Sequence, residues 1–436
     1  MKSLIKFSLL YAGAAVLLRL IGFVISLWLA KSLSPAQYAY WGLLYSAQTG
    51  FISFALVGIV ESLIGLLSTL ENADSINRLF DSALYIFRLT SLVAAFVVGL
   101  ISFSFLRSSS HFSIFGVVGV LLSGALLAFA TLKAQIFRLQ EKHSSSLYFT
   151  FLVPVVGLTS AFIAYLRIGS VDSFFYGSVV GLSCIIFFAL KSNKRSLEAY
   201  PGNNFHHKLL SRITPFVLVG ILGWLSGYGN NFLIEGIFGS VQVARFTFAL
   251  ALSSIPQLVS SSLNQVWAPR FYELIRFCPF NVVEQKNIFF YNVQCVLIGF
   301  IGFLSVIVYP YIIQAIGGNL LSYLHMRYEI SLLFASYVLL VPWNHSYNYL
   351  LTYDKGSHVM NVVVVTSIVG ILWWYILMKQ LGPMGIYVGF LSQMFVRSIG
   401  IYLYSRRFWR LQLPWPGLVV GCIAPFVPLS LLTNPS

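Results

Sequence analysis

The chain has 436 residues, of which 58% are hydrophobic and only 9% charged, with a mean hydropathy of +0.84. An ordinary soluble domain carries about 25% charged residues, so a water-soluble globule is excluded. In so apolar a chain the formal charge of +15 raises the question of which side of a bilayer holds the cations, and it does not point to nucleic acid.

Apolar runs between charged or turn-rich breaks predict twelve membrane-spanning helices, each near or above the ~20 residues that cross a hydrocarbon core. The first, 7–30, is too long for a signal h-region and lacks a small-residue cleavage pattern, so it reads as a span. Five more follow at 39–68, 83–105, 112–132, 147–166 and 173–190. A basic segment, 191–212, with Pro201 and Gly202 at its centre, reads as a cytoplasmic linker. The second set is 213–238, 241–266, 287–316, 329–351, 358–378 and 383–404. Beyond it, 413–432 is apolar but carries Pro414, Pro416, Pro425 and Pro428, and is expected to form an interfacial or partial helix and not a thirteenth span. The expected fold is an all-α polytopic membrane protein, with an N-terminal six-helix lobe (1–190), the linker, a C-terminal six-helix lobe (213–404) and a tail (405–436), the lobes enclosing a central cavity.

With the N-terminus inside, nineteen Lys and Arg fall on the inner side and six on the outer: Lys31, Arg107, Arg167, Arg245, Arg327 and Lys379. That bias predicts both termini in the cytoplasm. Trp28, Trp41, Trp373 and Trp374 then lie near the outer headgroups, where Trp is favoured. The four cysteines (Cys184, Cys278, Cys295 and Cys422) form no CxxC pair and have no His at ligand spacing, so neither a metal site nor a disulfide framework is expected. No cofactor is expected either.

Six helices per half is an even number, so both halves enter the membrane in the same orientation, as in parallel-repeat transporters. A faint echo fits this. "LSPAQYAYW" at 33–41 and "FGSVQVARF" at 238–246 align with a register of 205, placing Gln37 on Gln242 and Ala39 on Ala244.

The stretch "AKSLSPAQYAYWGLL", followed by a long second helix ending "LVGIVESLI", resembles the start of bacterial O-antigen and polysaccharide flippases. These belong to the multidrug, oligosaccharidyl-lipid and polysaccharide exporter superfamily. "NNFLIEGIFGSVQVARFTFALAL" is similar to that family's segment in which an acidic residue precedes an apolar run, then Phe-Gly, then a Gly-x-Tyr turn. Here Asn230 or Asn231 stands where Asp is common, Ala244 where Gly is, and Phe246 where Tyr is. The resemblance implies a transporter and not an enzyme. It would carry an undecaprenyl-pyrophosphate-linked oligosaccharide across the bacterial inner membrane by alternating access, supplying O-antigen and lipopolysaccharide assembly. Its partners would be that glycan, membrane lipids and other polysaccharide-assembly proteins.

A dianionic headgroup at mid-membrane calls for cations inside helices. Arg19 lies about twelve residues from either end of the first helix, roughly 18 Å by helical rise, beyond easy snorkelling. Ser8, Tyr11, Ala15, Gly22 and Ser26 share its face. The competing role is an ion pair with Glu61. Arg397 repeats the pattern with Gly389, Gln393, Gly400 and Tyr404, and Arg245 opens the eighth helix as a rim cation or an anchor. Gln257, Ser261 and Asn264, with Ser254, form a stripe that either binds sugar hydroxyls or joins neighbouring helices. Glu61 and Glu235 are candidate coupling carboxylates. Gly220, Gly223 and Gly227 are expected to serve close helix packing, and Pro342 to kink the tenth helix beside Asn344, His345, Tyr347 and Asn348, with His345 a candidate proton relay.

Two other functions compete. A membrane polysaccharide polymerase or glycosyltransferase needs a large outer loop with clustered catalytic residues, yet the longest expected outer loop, 317–328, carries only His325 and Arg327. A drug or metabolite exporter of the same superfamily is disfavoured by cations where a cationic drug would bind.

Overall fold

A computed structural model describes residues 2–67, 73–107, 112–192, 203–353, 357–408, 412 and 414–431. Residues 193–202 of the expected linker, including Lys194 and Arg195, lie outside these residues, as do Lys355 and Arg410, whereas its remainder, 203–212, begins a helix. Regular structure among the described residues is entirely helical. In chain order the helices are α1 (Lys2–Ser32), α2 (Pro35–Ala55), α3 (Ile59–Leu67), α4 (Ala73–Leu106), α5 (Ile114–Leu139), α6 (His143–Leu147), α7 (Val153–Ile168), α8 (Val171–Ser192), α9 (Asn203–Leu225), α10 (Asn230–Phe238), α11 (Ser240–Phe277), α12 (Phe280–Ile316), α13 (Arg327–Val338), α14 (Leu340–Tyr353), α15 (Ser357–Leu381), α16 (Met384–Ser405), α17 (Trp415–Ile423) and α18 (Val427–Leu431). Ten spans among the described residues are long and apolar enough to cross a bilayer, or eleven if the bent 206–225 stretch is one span. The chain is a multi-pass membrane protein.

Three expected spans are broken, each for a local reason. The second span parts at 56–58, where Gly58 takes φ +62°, a backbone open to glycine at no steric cost. The tenth parts at Leu339 because Pro342 has no N–H for the Val338 carbonyl and its ring crowds that position. The seventh parts at 226–229, between α9 and α10. The expected glycine packing holds at Gly220, where a Cβ would lie 3.0 Å from Val57, and is corrected at Gly223 and Gly227. Gly227 and Gly229 flank Tyr228 in the turn, and a Cβ at Gly223 would meet nothing within 4 Å.

The chain divides into two compact units: Met1–Ile25 with Ala36–Val243, and Ser26–Pro35 with Ala244–Ser436. In the first unit α7 and α8 pack closely. The positions a Cβ would take at Gly177 and Gly181 are occupied by Ser160, Ala161 and Ala164, a small-residue seam that lets two backbones approach. The side of α4 turned outwards carries Leu89, Leu92, Val93, Phe96, Leu100 and Phe103, all exposed at the three- and four-residue steps of one helical face. Such a stripe is suited to lipid.

The register of 205 reappears in structure: α2 begins at Pro35 and α11 at Ser240. Burial follows it, since Ala39 and Ala244, Leu43 and Phe248, and Leu44 and Ala249 are all buried pairs. Two of the four expected interfacial tryptophans are corrected. Trp28 and Trp373 are exposed, but Trp41 and Trp374 are buried in the protein, where the Trp374 indole donates to the Ile386 carbonyl at 2.8 Å.

The tail is a partial helix that packs within the second unit. Pro416 is the second residue of α17 and Pro428 the second of α18, positions in a first helical turn that need no N–H donor. Gly417 lies on Asn292, Gly421 on Cys295 and Gly299, and Pro425 on Gly302, so α17 runs parallel to α12. It arrives beside the start of α13, where the Ser331 hydroxyl donates to the Pro425 carbonyl at 2.8 Å and Phe426 meets Tyr328 with ring centroids 6.0 Å apart.

Candidate functional site

In the first unit, Leu10, Leu17 and Val24 form an exposed apolar stripe along α1. At 3.6 residues per turn, Arg19 points roughly 160° away from it. Arg19 is exposed as well, so α1 has two open faces, one apolar and one bearing a cation with Tyr11, Ala15 and Gly22. The break at 226–229 turns Tyr228 onto Tyr45 of α2, with ring centroids 5.4 Å apart and an interplanar angle of 83°. Their hydroxyls are hydrogen-bonded, and the charge of Arg19 reaches both. The sequence reading missed these two phenols. The glycine-flanked Tyr228 inside an apolar run was the available signal.

Glu61 is exposed at the start of α3, and among the described residues no ion pair joins it to Arg19. Glu235, half-buried in α10, has a buried Oε2 with no hydrogen-bond partner among the described residues. Beside the break, Asn231 Nδ2 donates to Ser46 Oγ at 2.8 Å and the Trp224 indole donates to the Ser46 carbonyl at 2.9 Å. Asn230 is fully buried with both amide atoms unpartnered.

In the second unit, Arg245 is an anchor: its guanidinium pairs with Glu329 in the first turn of α13 at 2.8 Å. Tyr40, its equivalent in the register of 205, donates to Asp172 in the first turn of α8 at 3.2 Å. Burial pushes the phenol of Tyr323, in the segment before α13, above its usual ionisation range, and Arg245 pulls it back.

Arg397 lies with its guanidinium 4.8 Å from the ring centroid of Trp343 on α14, and its Nε is buried without a hydrogen-bond partner. Its neighbours on that face, Gln393 and Gly400, pack against Gly370 and Thr366 of α15, so this face is packed where that of Arg19 is open.

The polar stripe of α11 meets the polar cluster of α14. Asn348 Nδ2 donates to Asn264 Oδ1 at 2.7 Å, and Asn344 Nδ2 donates to Ser260 Oγ at 3.4 Å. Both pairs are offset by 84 residues, so the helices run parallel with one rung per turn. Asn264 therefore joins helices, Ser261 bonds the carbonyl of Leu258 in its own helix at 2.9 Å, and Gln257 is half-buried one turn earlier. His345 faces Asn287 and Gln294 of α12. The sequence reading passed over these two amides, although polar residues seven apart in an apolar helix share a face.

No family model matches the sequence, and no curated protein matches it. Solved structures do resemble it. An inward-facing multidrug resistance MATE family transporter of the MOP superfamily aligns with TM-score 0.66 and 15% identity over 89% of this chain and 94% of its own. The lipid II flippase MurJ, in an inward closed conformation, aligns with TM-score 0.66 and 13% identity over 98% of this chain and 94% of its own. A MOP superfamily transporter from Pyrococcus furiosus, described as having a binding pocket of reversed polarity, aligns with TM-score 0.55 and 14% identity over 93% and 95%. The architecture built by these helices is thus the fold seen in these MATE and MurJ structures.

Proposed function

We propose that the chain is a flippase for a lipid-linked oligosaccharide, the lipid being undecaprenyl pyrophosphate and the glycan an O-antigen or related surface-polysaccharide repeat unit. One observation carries this reading. Arg19 is a mid-helix cation on an open face, set beside two phenols, with no acidic partner among the described residues. A charge there is expensive unless it meets water or an anion. Its fork suits phosphate oxygens, and phenols suit sugar or phosphate. The likeness to MurJ supports a lipid-linked substrate. Arg397, over Trp343, and Gln257 on α11 are the substrate-binding candidates of the second unit. Glu235, with its unpartnered oxygen, is the better coupling candidate than Glu61. The lobes 1–190 and 213–404 act as the alternating bodies, joined by the basic linker.

The decisive assay is reconstitution in proteoliposomes with a fluorescent undecaprenyl-pyrophosphate oligosaccharide and a membrane-impermeant quencher. Protein-dependent movement of the label between leaflets is expected. Uptake of a cationic drug without glycan movement would replace this reading with a drug exporter. Glycan chain extension would replace it with a polymerase.

The cation bias places the N-terminus and the Arg406–Arg407 pair in the cytoplasm of a cell bounded by this inner membrane. The same bias supports a cytoplasmic C-terminus. Cysteines at Ser240 and Ser322 should react with an impermeant reagent from outside, and labelling of either only from the cytoplasm would overturn this topology.

A further inference from the structure

His345 lies on α14 two residues after Trp343 and is 1% exposed. Its two ring nitrogens face two carboxamides from one side of α12: Nδ1 is 2.7 Å from Asn287 Oδ1, and Nε2 is 3.1 Å from Gln294 Oε1. Both amides are themselves 1% exposed, and neither Asn287 Nδ2 nor Gln294 Nε2 has a hydrogen-bond partner among the described residues. A neutral imidazole carries one donor and one acceptor, whereas imidazolium carries two donors. Two oxygens turned to the ring, with both amino groups left over, is the complement of imidazolium. Turning either amide by half a rotation supplies one donor and one acceptor, the complement of the neutral ring, within the same volume. Each ring nitrogen can therefore keep its hydrogen bond in either protonation state without movement of the backbone.

Aromatic rings wall the site. Trp267 of α11 stacks on the ring at 5.9 Å and 28°, Tyr291 of α12 meets it edge-on at 5.2 Å, and Phe290 lies at 6.5 Å. Aromatic faces attract a cation. The titratable groups around the ring are Tyr291 from α12 and, acting electrostatically on Tyr291, Cys295 of α12, Cys422 of α17 and Tyr402 of α16. Tyr272 of α11 lies one turn along α14, on Asn348. The cation packed on α14 is Arg397 of α16, which lies over Trp343. Among the described residues no carboxylate or cation acts on the ring.

We propose that His345, Asn287 and Gln294 form a proton-binding site at the junction of α11, α12 and α14. The proton enters as H⁺ from water, bonds to the free ring nitrogen, and leaves by the same bond, with no other reactant. A charge there is placed on α14, the helix that also carries the Asn344 and Asn348 rungs to α11 and the aromatic partner of Arg397. Protonation at His345 is in this way connected mechanically to helices of the second unit, and the site does not depend on the substrate assigned above.

The test uses the full chain in detergent and follows tryptophan emission as pH is lowered, since imidazolium quenches an indole stacked on it. A reversible, sigmoidal quench is expected that vanishes in both His345→Gln and Trp267→Phe. Gln294→Glu, which sets a carboxylate against the ring, should raise the midpoint by about one pH unit or more, and Gln294→Leu should lower it. Asn287→Asp and Asn287→Leu should repeat that opposition from the other nitrogen, so loss of one variant to misfolding leaves the second pair to decide. A quench that persists in His345→Gln, or midpoints that do not separate between the acidic and leucine variants, would overturn the proposal. No readout involves transport, so the outcome is separable from the flippase reading.

Discussion

Replacing Arg19 with alanine is expected to abolish delivery of the lipid-linked glycan while leaving the amount of folded protein unchanged. Two charge-assisted hydrogen bonds to phosphate, at about 1.5–3 kcal/mol each, amount to a loss on the order of 10²-fold or more. Arg19→Lys keeps the charge but loses the fork, and partial function is expected. Arg19 is exposed and has no ion pair with Glu61 among the described residues, so its removal leaves no buried carboxylate unpaired, and abundance should not fall. The measurements are protein level and glycan export in Arg19→Ala, in Arg19→Lys and in the double variant with Glu61→Ala. Recovery of export in the double variant would sink the substrate role, because it would show that Arg19 serves only to neutralise Glu61.

The second large effect concerns the tail. Gly421→Leu should lower thermal stability markedly, by about 1–3 kcal/mol or more from overpacking alone. The space for any side chain there is filled by the Cys295 carbonyl of α12 and by Val338 of α13, and Gly299, one turn further along α12, lies on the Gly421 backbone. Two backbones are in contact, and neither can yield as a flexible side chain does. Val420→Leu, one residue away on the exposed side of α17, is the control and should stay within about 0.5 kcal/mol of the wild type. Equal melting temperatures for Gly421→Leu and the control would mean that α17 is not seated on α12.

Local patterns on the chain account for part of this architecture. The apolar runs announced nearly every helix, since a bilayer demands some 20 apolar residues per crossing whatever the neighbours are. Pro342 announced the break in the tenth span, and Gly58 allows that in the second. The register of 205 was legible in Gln37 and Gln242 and recurs in the starts of α2 and α11. The tail was legible as a partial helix, and its prolines fit because Pro416 and Pro428 occupy first turns.

Partners were another matter. Arg19, Arg245 and Arg397 look alike in sequence, as cations near or within apolar helices. Only the tertiary structure separates them: an open face beside Tyr45 and Tyr228, an ion pair with Glu329, and a stack on Trp343. Asn264 likewise could not be told from a sugar ligand until Asn348 was found on it. Adjacent Trp373 and Trp374 share a composition but not a fate, one exposed and one buried, because consecutive helical residues point about 100° apart. Hydropathy is a property of the segment, and the chain by itself could mark which stretches are apolar enough to span a bilayer. The state of a charge or an amide depends on the atom that faces it, supplied by residues tens to hundreds of positions away, and that was decided only when the helices packed.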